Sequence, residues 1–202
     1  MTVNARALPN EFCINVDATK WRAGLPPEVW IEGFPTGCVW RADVFDVADR
    51  WRRGEVPSRV LAAVVLAWGH GSNGYGPYRT RTVLAADPNG EKLDLALAAL
   101  RAERPSERDL KDAYIAFRSS EHVQGLGASF FTKILYFAGY RRGVGGVQPL
   151  ILDKLVAERL PREAGITSKT FNWHSNEWVS YLSWAAAQSS EPDHVEVALF
   201  TS

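Results

Sequence analysis

The run Val123-Gln124-Gly125-Leu126-Gly127-Ala128-Ser129 sets a glycine, an apolar residue and a second glycine between two helical patterns. Few folds accept such a break. Glycine reaches positive φ without the steric penalty that other residues meet, so Gly125 and Gly127 predict a tight hairpin between helices. A hairpin of this kind turns backbone N–H groups outward. Together with the N-terminus of the helix expected from Ala128, those amides form a concave donor site for an anion such as phosphate, with no side-chain charge needed. A plain interhelical turn uses the same residues, so any chemistry has to come from side chains beyond the hairpin.

From Ser129 to Ala138, the residues Phe130, Phe131, Ile134, Leu135, Phe137 and Ala138 share one broad side of a 3.6-residue helix. Ser129, Thr132, Lys133 and Tyr136 fill the remaining arc, where a solvated lysine is the ordinary outcome. Further along, Gln148-Pro149-Leu150-Ile151-Leu152 leads into Asp153, and Lys154 to Leu160 reads as an amphipathic helix. Aspartate is a favoured N-cap. Held there, its carboxylate lies at the positive end of the helix and can also face a cavity.

In this order the parts resemble the helix-hairpin-helix DNA glycosylases, and among them the 8-oxoguanine DNA glycosylase type. The matching segments are Gln124-Gly125-Leu126-Gly127, the helix Phe131-Thr132-Lys133-Ile134-Leu135-Tyr136-Phe137-Ala138-Gly139, and Pro149-Leu150-Ile151-Leu152-Asp153. The resemblance implies an all-α fold, a helical bundle with a DNA-binding cleft, over residues 1–202 as a single domain with its hairpin motif at about 113–160. It implies an enzyme that bends duplex DNA, turns a damaged base out of the stack and cuts its bond to deoxyribose. Gln124, Gly125, Leu126, Gly127, Ala128 and Ser129 would then contact DNA. In bifunctional members of the family the nucleophilic lysine usually comes two residues after the second hairpin glycine, where this chain has Ser129. Lys133, one turn later, is similar to the placement in some archaeal 8-oxoguanine glycosylases and is the candidate nucleophile. Without it, water would attack and the enzyme would be monofunctional.

The residue types suit that chemistry. Departure of a base leaves oxocarbenium character at the anomeric carbon, which a nearby carboxylate stabilises, and Asp153 is the candidate. A neutral lysine attacking the same carbon gives a Schiff base, and burial favours the neutral amine. Strand cleavage by β-elimination then becomes possible.

The resemblance also implies an Asn-bearing loop that fills the hole left by the everted base. In the glycine-rich stretch at 69–78, Asn73 is the candidate, with Tyr75 or Tyr78 as wedges between base steps and Arg79 as a further DNA contact. His70 reads as a surface or capping histidine rather than a general base. A C-terminal helix supplies an aromatic and an amide to the base pocket in this family, which points to Trp178 and Tyr181, with Trp173 and His174 beside them.

Length and composition set bounds. A chain of 202 residues, 46% hydrophobic, can bury one sizeable core. With 23 basic and 23 acidic residues, it is no general DNA coat. Local patches remain: Arg50, Arg52, Arg53 and Arg59; Arg79 with Arg81; Arg141 with Arg142. Cys13 and Cys38 are too few and too far apart for zinc or an iron-sulfur cluster, so reduced core thiols and a cytoplasmic location are expected. No cofactor or metal is expected, a monovalent cation on the hairpin carbonyls being the one candidate ion. Neither a leader nor a membrane span is visible. The expected partner is duplex DNA containing a damaged or modified base, bound by a monomer. An oxidised purine such as 8-oxoguanine is the favoured substrate. The alternatives are a bulky phage-type modified cytosine, which would make the enzyme an antiviral defence, and a non-catalytic DNA-binding module.

The remaining elements are coarser. The chain reads as irregular to about Thr36, then as helices over Ala42–Arg53, Arg59–Trp68 capped by Ser58, Arg79–Ala86, Glu91–Arg101, Glu107–Ser119 and Ser175–Gln188. The tail Val195–Phe200 alternates and reads as extended.

Overall fold

A computed structural model describes residues 8–168 and 170–201 of the chain. Its α-helices are α1 (Ala18–Gly24), α2 (Arg41–Arg52), α3 (Ser58–His70), α4 (Gly76–Ala85), α5 (Glu91–Leu97), α6 (Glu107–Arg118), α7 (Ala128–Gly139), α8 (Lys154–Arg159), α9 (Ser175–Gln188) and α10 (Pro192–Thr201). Two short strands, β1 (Ile14–Val16) and β2 (Gly37–Val39), pair antiparallel with Asn15 opposite Cys38. The class is all-α, as expected.

The centre is α3. Its residues Val60 to Trp68 are all buried, as befits a helix apolar all round. It packs against α2, α4 and α7. The second central helix, α7, buries every residue from Phe131 to Gly139, so the arc containing Thr132, Lys133 and Tyr136 is inside the protein and Lys133 is not a solvated lysine. The carbonyls at its C-terminus are satisfied by arginines. Arg52 donates to Phe137 O and Ala138 O, and Arg141 donates to Ala138 O, Leu100 O and Ala102 O. Cations at a helix C-terminus complement its dipole. These two side chains hold the fold together and do not form a phosphate patch. Arg53 and Arg59 are engaged by Glu55 and Glu28, and Arg142 by Asp193.

Four sequence expectations change. Residues 18–24, within the stretch read as irregular, form α1, capped by Asp17 through Lys20 N. Pro57, not Ser58, occupies the N-cap of α3. The Ser58 hydroxyl is buried, accepting from Trp51 Nε1 at 2.8 Å and donating to Asp94. The tail is helical, because Asp193 and Glu196 face inward with Pro192 and Val197. Those buried acids replace apolar residues on the inner face, which disguises the helical period as alternation. Finally, Cys13 and Cys38 are not free thiols but form a disulfide across the β1–β2 ladder, with Cα atoms 5.2 Å apart. A small two-stranded ladder has little core of its own, and a covalent link between its strands offsets that.

Candidate active site

The hairpin turns on one glycine. Gly125 has φ +85°, whereas Gly127 is extended at φ −80° and serves as the N-cap of α7. Leu126 points into the core, and its backbone N–H closes the turn on Val123 O at 3.0 Å. Gln124, Gly125 and Gly127 are exposed, Ala128 and Ser129 half-buried. No side chain caps α7, so the first amides of the helix face outward without a protein acceptor of that kind.

Lys133 lies one and a half turns into α7. Its Nζ donates to Asp153 Oδ2 at 2.8 Å and to Ser129 O at 3.1 Å. Asp153 is the N-cap of α8, its other oxygen accepting from Val156 N at 3.2 Å. Burial works to raise the Asp153 pKa, but Lys133 and the amides of Val156 and Leu155 outweigh it, so the carboxyl is held below its ordinary 3.8. Thr132 joins the two elements. Its hydroxyl donates to Leu152 O and accepts from Leu152 N at 3.2 Å, fixing the segment before Asp153 against α7. Sequence reasoning placed Thr132 on a polar arc and missed this bridge.

Lys133 and Asp153 both line a cavity of about 110 Å³. One wall is built from Trp68 and Gly69 of α3, Lys133 of α7, Ile151 and Asp153. Gly69 is needed there, since a Cβ on it would stand 3.2 Å from Lys133 Cδ and from the Phe130 ring. The opposite wall comes from the ends of the chain: Glu11, Phe12 and Ile14, Arg41 at the start of α2, and Glu196, Val197, Phe200 and Thr201 of α10. The Phe12 and Phe200 rings are 5.9 Å apart. Arg41 Nη1 meets Glu196 Oε2 at 2.5 Å, and Glu11 accepts from the backbone N of Arg41 at 2.9 Å. Nothing in the sequence pattern singled out this wall. Its only early signal was the pair of acids in an otherwise apolar tail.

The predicted aromatic residues do not line the cavity, although the Tyr181 hydroxyl is close enough to Glu196, Arg41 and Asp153 to feel their charges. Trp173, Trp178 and Tyr181 are fully buried. Trp178 Nε1 donates to Leu150 O at 3.0 Å, supporting the segment that leads to Asp153, and Trp173 Nε1 donates to Ser168 O. His174 is the N-cap residue of α9, its backbone N donating to Glu177.

The end of α3 and the start of α4 do approach the hairpin. His70, Tyr78, Arg79, Gly125 and Phe130 line a common groove. Arg79 and the nearby Tyr75 and Tyr78 are exposed. Asn73 is at the exposed tip of the loop, where its side chain accepts from Tyr75 N at 3.0 Å. His70 stacks on Phe130 with ring centroids 4.3 Å apart. Burial, then Arg79 and Lys133, press its pKa down to about 4, so it is neutral at pH 7.

Among the described residues no helix is long and apolar enough to cross a membrane. Comparison with the curated proteins and with the solved structures gives no match. A family model does match, over residues 9–200, a span that takes in the hairpin, the Lys133–Asp153 pair and every lining residue of the cavity but Thr201. The chain therefore belongs to the family described as "Putative 8-oxoguanine DNA glycosylase OGG-like protein".

Proposed function

We propose that the protein is a DNA glycosylase that everts an oxidised purine of the 8-oxoguanine kind from duplex DNA and excises it, with Lys133 as nucleophile and Asp153 as electrostatic partner. The observation that carries this reading is the 2.8 Å contact between Lys133 Nζ and Asp153 Oδ2 on the wall of a cavity just beyond the hairpin. The hairpin amides and Arg79 would hold phosphates, positioning the duplex without reading its sequence. Tyr75 at the start of α4 and Tyr78 in its first turn, both exposed, are suited to wedge the stack while the base turns inward.

In the reaction the C1′–N bond breaks and the base departs with its electron pair, taking up a proton. Asp153 stays ionised and stabilises the positive charge that develops on the sugar. Lys133, after passing a proton to the departing base, forms a bond from Nζ to C1′. Opening of the sugar ring, with a proton moving from Nζ to the ring oxygen, converts that bond into an iminium, and loss of a 2′ proton to water then expels the 3′ phosphate.

The test is a panel of duplexes, each with one modified base, treated with enzyme in the presence of borohydride. Release is expected first from the 8-oxoguanine duplex, with a covalent protein–DNA adduct that Lys133→Gln does not form. Release without an adduct would make the enzyme monofunctional and assign the attack to water. No release from any duplex, with abasic duplex still bound, would overturn the glycosylase reading in favour of a non-catalytic module.

A further inference from the structure

Six buried side-chain polar atoms lack a hydrogen-bond partner among the described residues: Arg41 Nε, Arg59 Nε, Trp68 Nε1, Thr80 Oγ1, Tyr181 Oη and Glu196 Oε1. Buried polar groups are almost always satisfied, and each exception calls for a reason. Three of the six belong to residues of one cavity, the one that Lys133 and Asp153 line. Arg41 and Glu196 are 4% and 0% exposed. Their mutual contact uses Arg41 Nη1 and Glu196 Oε2, which leaves Nε and Oε1 over. Glu11 Oε1 is 3.9 Å from Arg41 Nε, too far to accept its proton. The Arg41 guanidinium lies over the Trp68 ring, 5.4 Å from its centroid, and is paired with Glu196, so the three side chains adjoin one another.

Two are donors and one is an acceptor. We propose that Arg41, Trp68 and Glu196 form the base-reading face of the cavity, and that the base they take offers two acceptors and one N–H donor along a single edge. This rests on the glycosylase reading. An oxidised guanine meets the requirement with two carbonyls flanking a ring N–H. A cytosine-type base meets it with a carbonyl, a ring nitrogen and an amino group. On the same edge as oxidised guanine, unmodified guanine offers two acceptors and no N–H, and an etheno-adenine has no N–H on its pairing edge, so either leaves a buried group unpaired. An unpaired polar group in a closed site is what produces strong discrimination.

The same geometry explains why the pair is ionic. Arg41 holds the Glu196 carboxylate in the wall before a base arrives, and because Glu196 is fully buried the base reaches it only as that wall loosens. Arg41 and Glu196 belong to α2 and α10, far apart in sequence, and they converge because α10 packs on α8 and α9 and is tied to α7 through Asp193 and Tyr136.

The experiment compares wild type with Glu196→Gln, Arg41→Lys and Trp68→Phe. The last deletes one donor and keeps an aromatic ring, so it tests the proposal even where the ion-pair variants fold poorly. Single-turnover release is measured on duplexes carrying 8-oxoguanine, 5-hydroxymethylcytosine or etheno-adenine, alongside binding to a duplex with a stable abasic-site analogue. Each variant is expected to lose about ten- to a hundredfold in release of whichever base the wild type takes, with abasic-site binding unchanged. The wild type should favour 8-oxoguanine or 5-hydroxymethylcytosine over etheno-adenine by at least about tenfold, and the preference between the first two identifies the source of the edge. Release unchanged in Trp68→Phe and in any folded ion-pair variant overturns the proposal and leaves the glycosylase reading intact. Equal loss of release and abasic-site binding also overturns it, because the residues would then be structural only. If the wild type releases nothing, binding of free 8-oxoguanine or cytosine, followed by quenching of tryptophan fluorescence, decides separately. Quenching that Glu196→Gln abolishes supports the base-reading face while the glycosylase reading falls, and no quenching overturns both.

Discussion

The two walls of the cavity carry the same kind of device and hold it in opposite electrostatic states. On one wall Lys133 pairs with Asp153, and on the other Arg41 pairs with Glu196. Asp153 is pulled below its ordinary pKa. Glu196 is pushed above its own, since burial dominates and Asp153 adds to it, with Arg41 opposing. The cation is not what separates them. Asp153 terminates a helix and receives backbone amides, whereas Glu196 stands inside α10, where the amides are already engaged in the helix. A carboxylate at a helix start keeps its charge cheaply, and one buried in the middle of a helix does not. Two carboxylates pushed apart on one cavity can do different work: in the proposed reaction one would stabilise charge and the other would read a base.

The change that should separate the walls most is Asp153→Asn. Asparagine caps α8 as well as aspartate, so the local fold survives while the charge is lost. Base release should fall by about a hundred- to a thousandfold, the scale of removing one preorganised electrostatic group. Duplex binding through the hairpin should persist. Lys133 would lose its carboxylate partner and retain Ser129 O, and thermal unfolding should show a loss of about 3 kcal/mol. Near-wild-type release would move the chemistry off this wall.

The next change acts on the terminal wall. Cys13 sits between Phe12 and Ile14, both of which line the cavity, and its bond to Cys38 ties that strip to β2. Replacing both cysteines by serine should lower stability by about 3 kcal/mol, the entropy of opening a loop this long. Release should also drop by about tenfold as Glu11 and Phe12 lose their seat, an effect of roughly 1.4 kcal/mol. Binding to undamaged duplex should not change. A variant with unaltered release would show that the strip is held by the ladder alone.

Asp193→Ala probes how α10 is held. Asp193 accepts from the hydroxyls of Tyr136 and Tyr140, at 3.0 Å and 2.9 Å, and faces Arg142. Without it Tyr136 loses this acceptor, and Tyr140 falls back on Glu191 alone. The cost should be about 2 kcal/mol, read as a lower midpoint in urea. Release should decline only as far as Glu196 shifts.

The walls also differ in how legible they were. The hairpin, α7 and the Asp153 cap follow local rules: a glycine with positive φ, an apolar period, a capping aspartate. Most helices could be placed within a few residues for the same reason, and Ser175–Gln188 matched α9 at both ends. What failed were residues whose surroundings are set by distant chain. Lys133 sits on an arc that reads as polar, but α3 and the 151–153 segment cover it. Trp178 and Tyr181 have the side chains of a stacking platform, yet packing against α6 and support of Leu150 account for Trp178. The terminal wall was invisible, because inward-facing acids invert the pattern on which amphipathic readings depend. Cys13 and Cys38 were read by spacing alone, and only the β1–β2 register brings them together.

The smallest effect expected is the most direct measure of the electrostatic difference. Asp153, with a lowered pKa, contributes stability that is fully present above its ordinary 3.8 and is lost as pH falls below that value through the folded pKa. Glu196 has the opposite sign. Because the folded state holds its proton more tightly than the unfolded chain, stability declines as pH rises from the ordinary 4.5 through the raised value. His70, pressed from 6.5 to about 4, adds a loss of its own as pH falls across that interval. It is common to all the variants and cancels when unfolding midpoints are subtracted. The difference between wild type and Asp153→Asn should therefore shrink below pH 4, and above pH 4.5 it should change only by the part of the Glu196 shift that Asp153 supplies. For Glu196→Gln the difference should change above pH 4.5 and flatten toward acid. Parallel profiles for the two variants would mean that the walls share one titration, and the division between a charge-stabilising wall and a base-reading wall would fail with it.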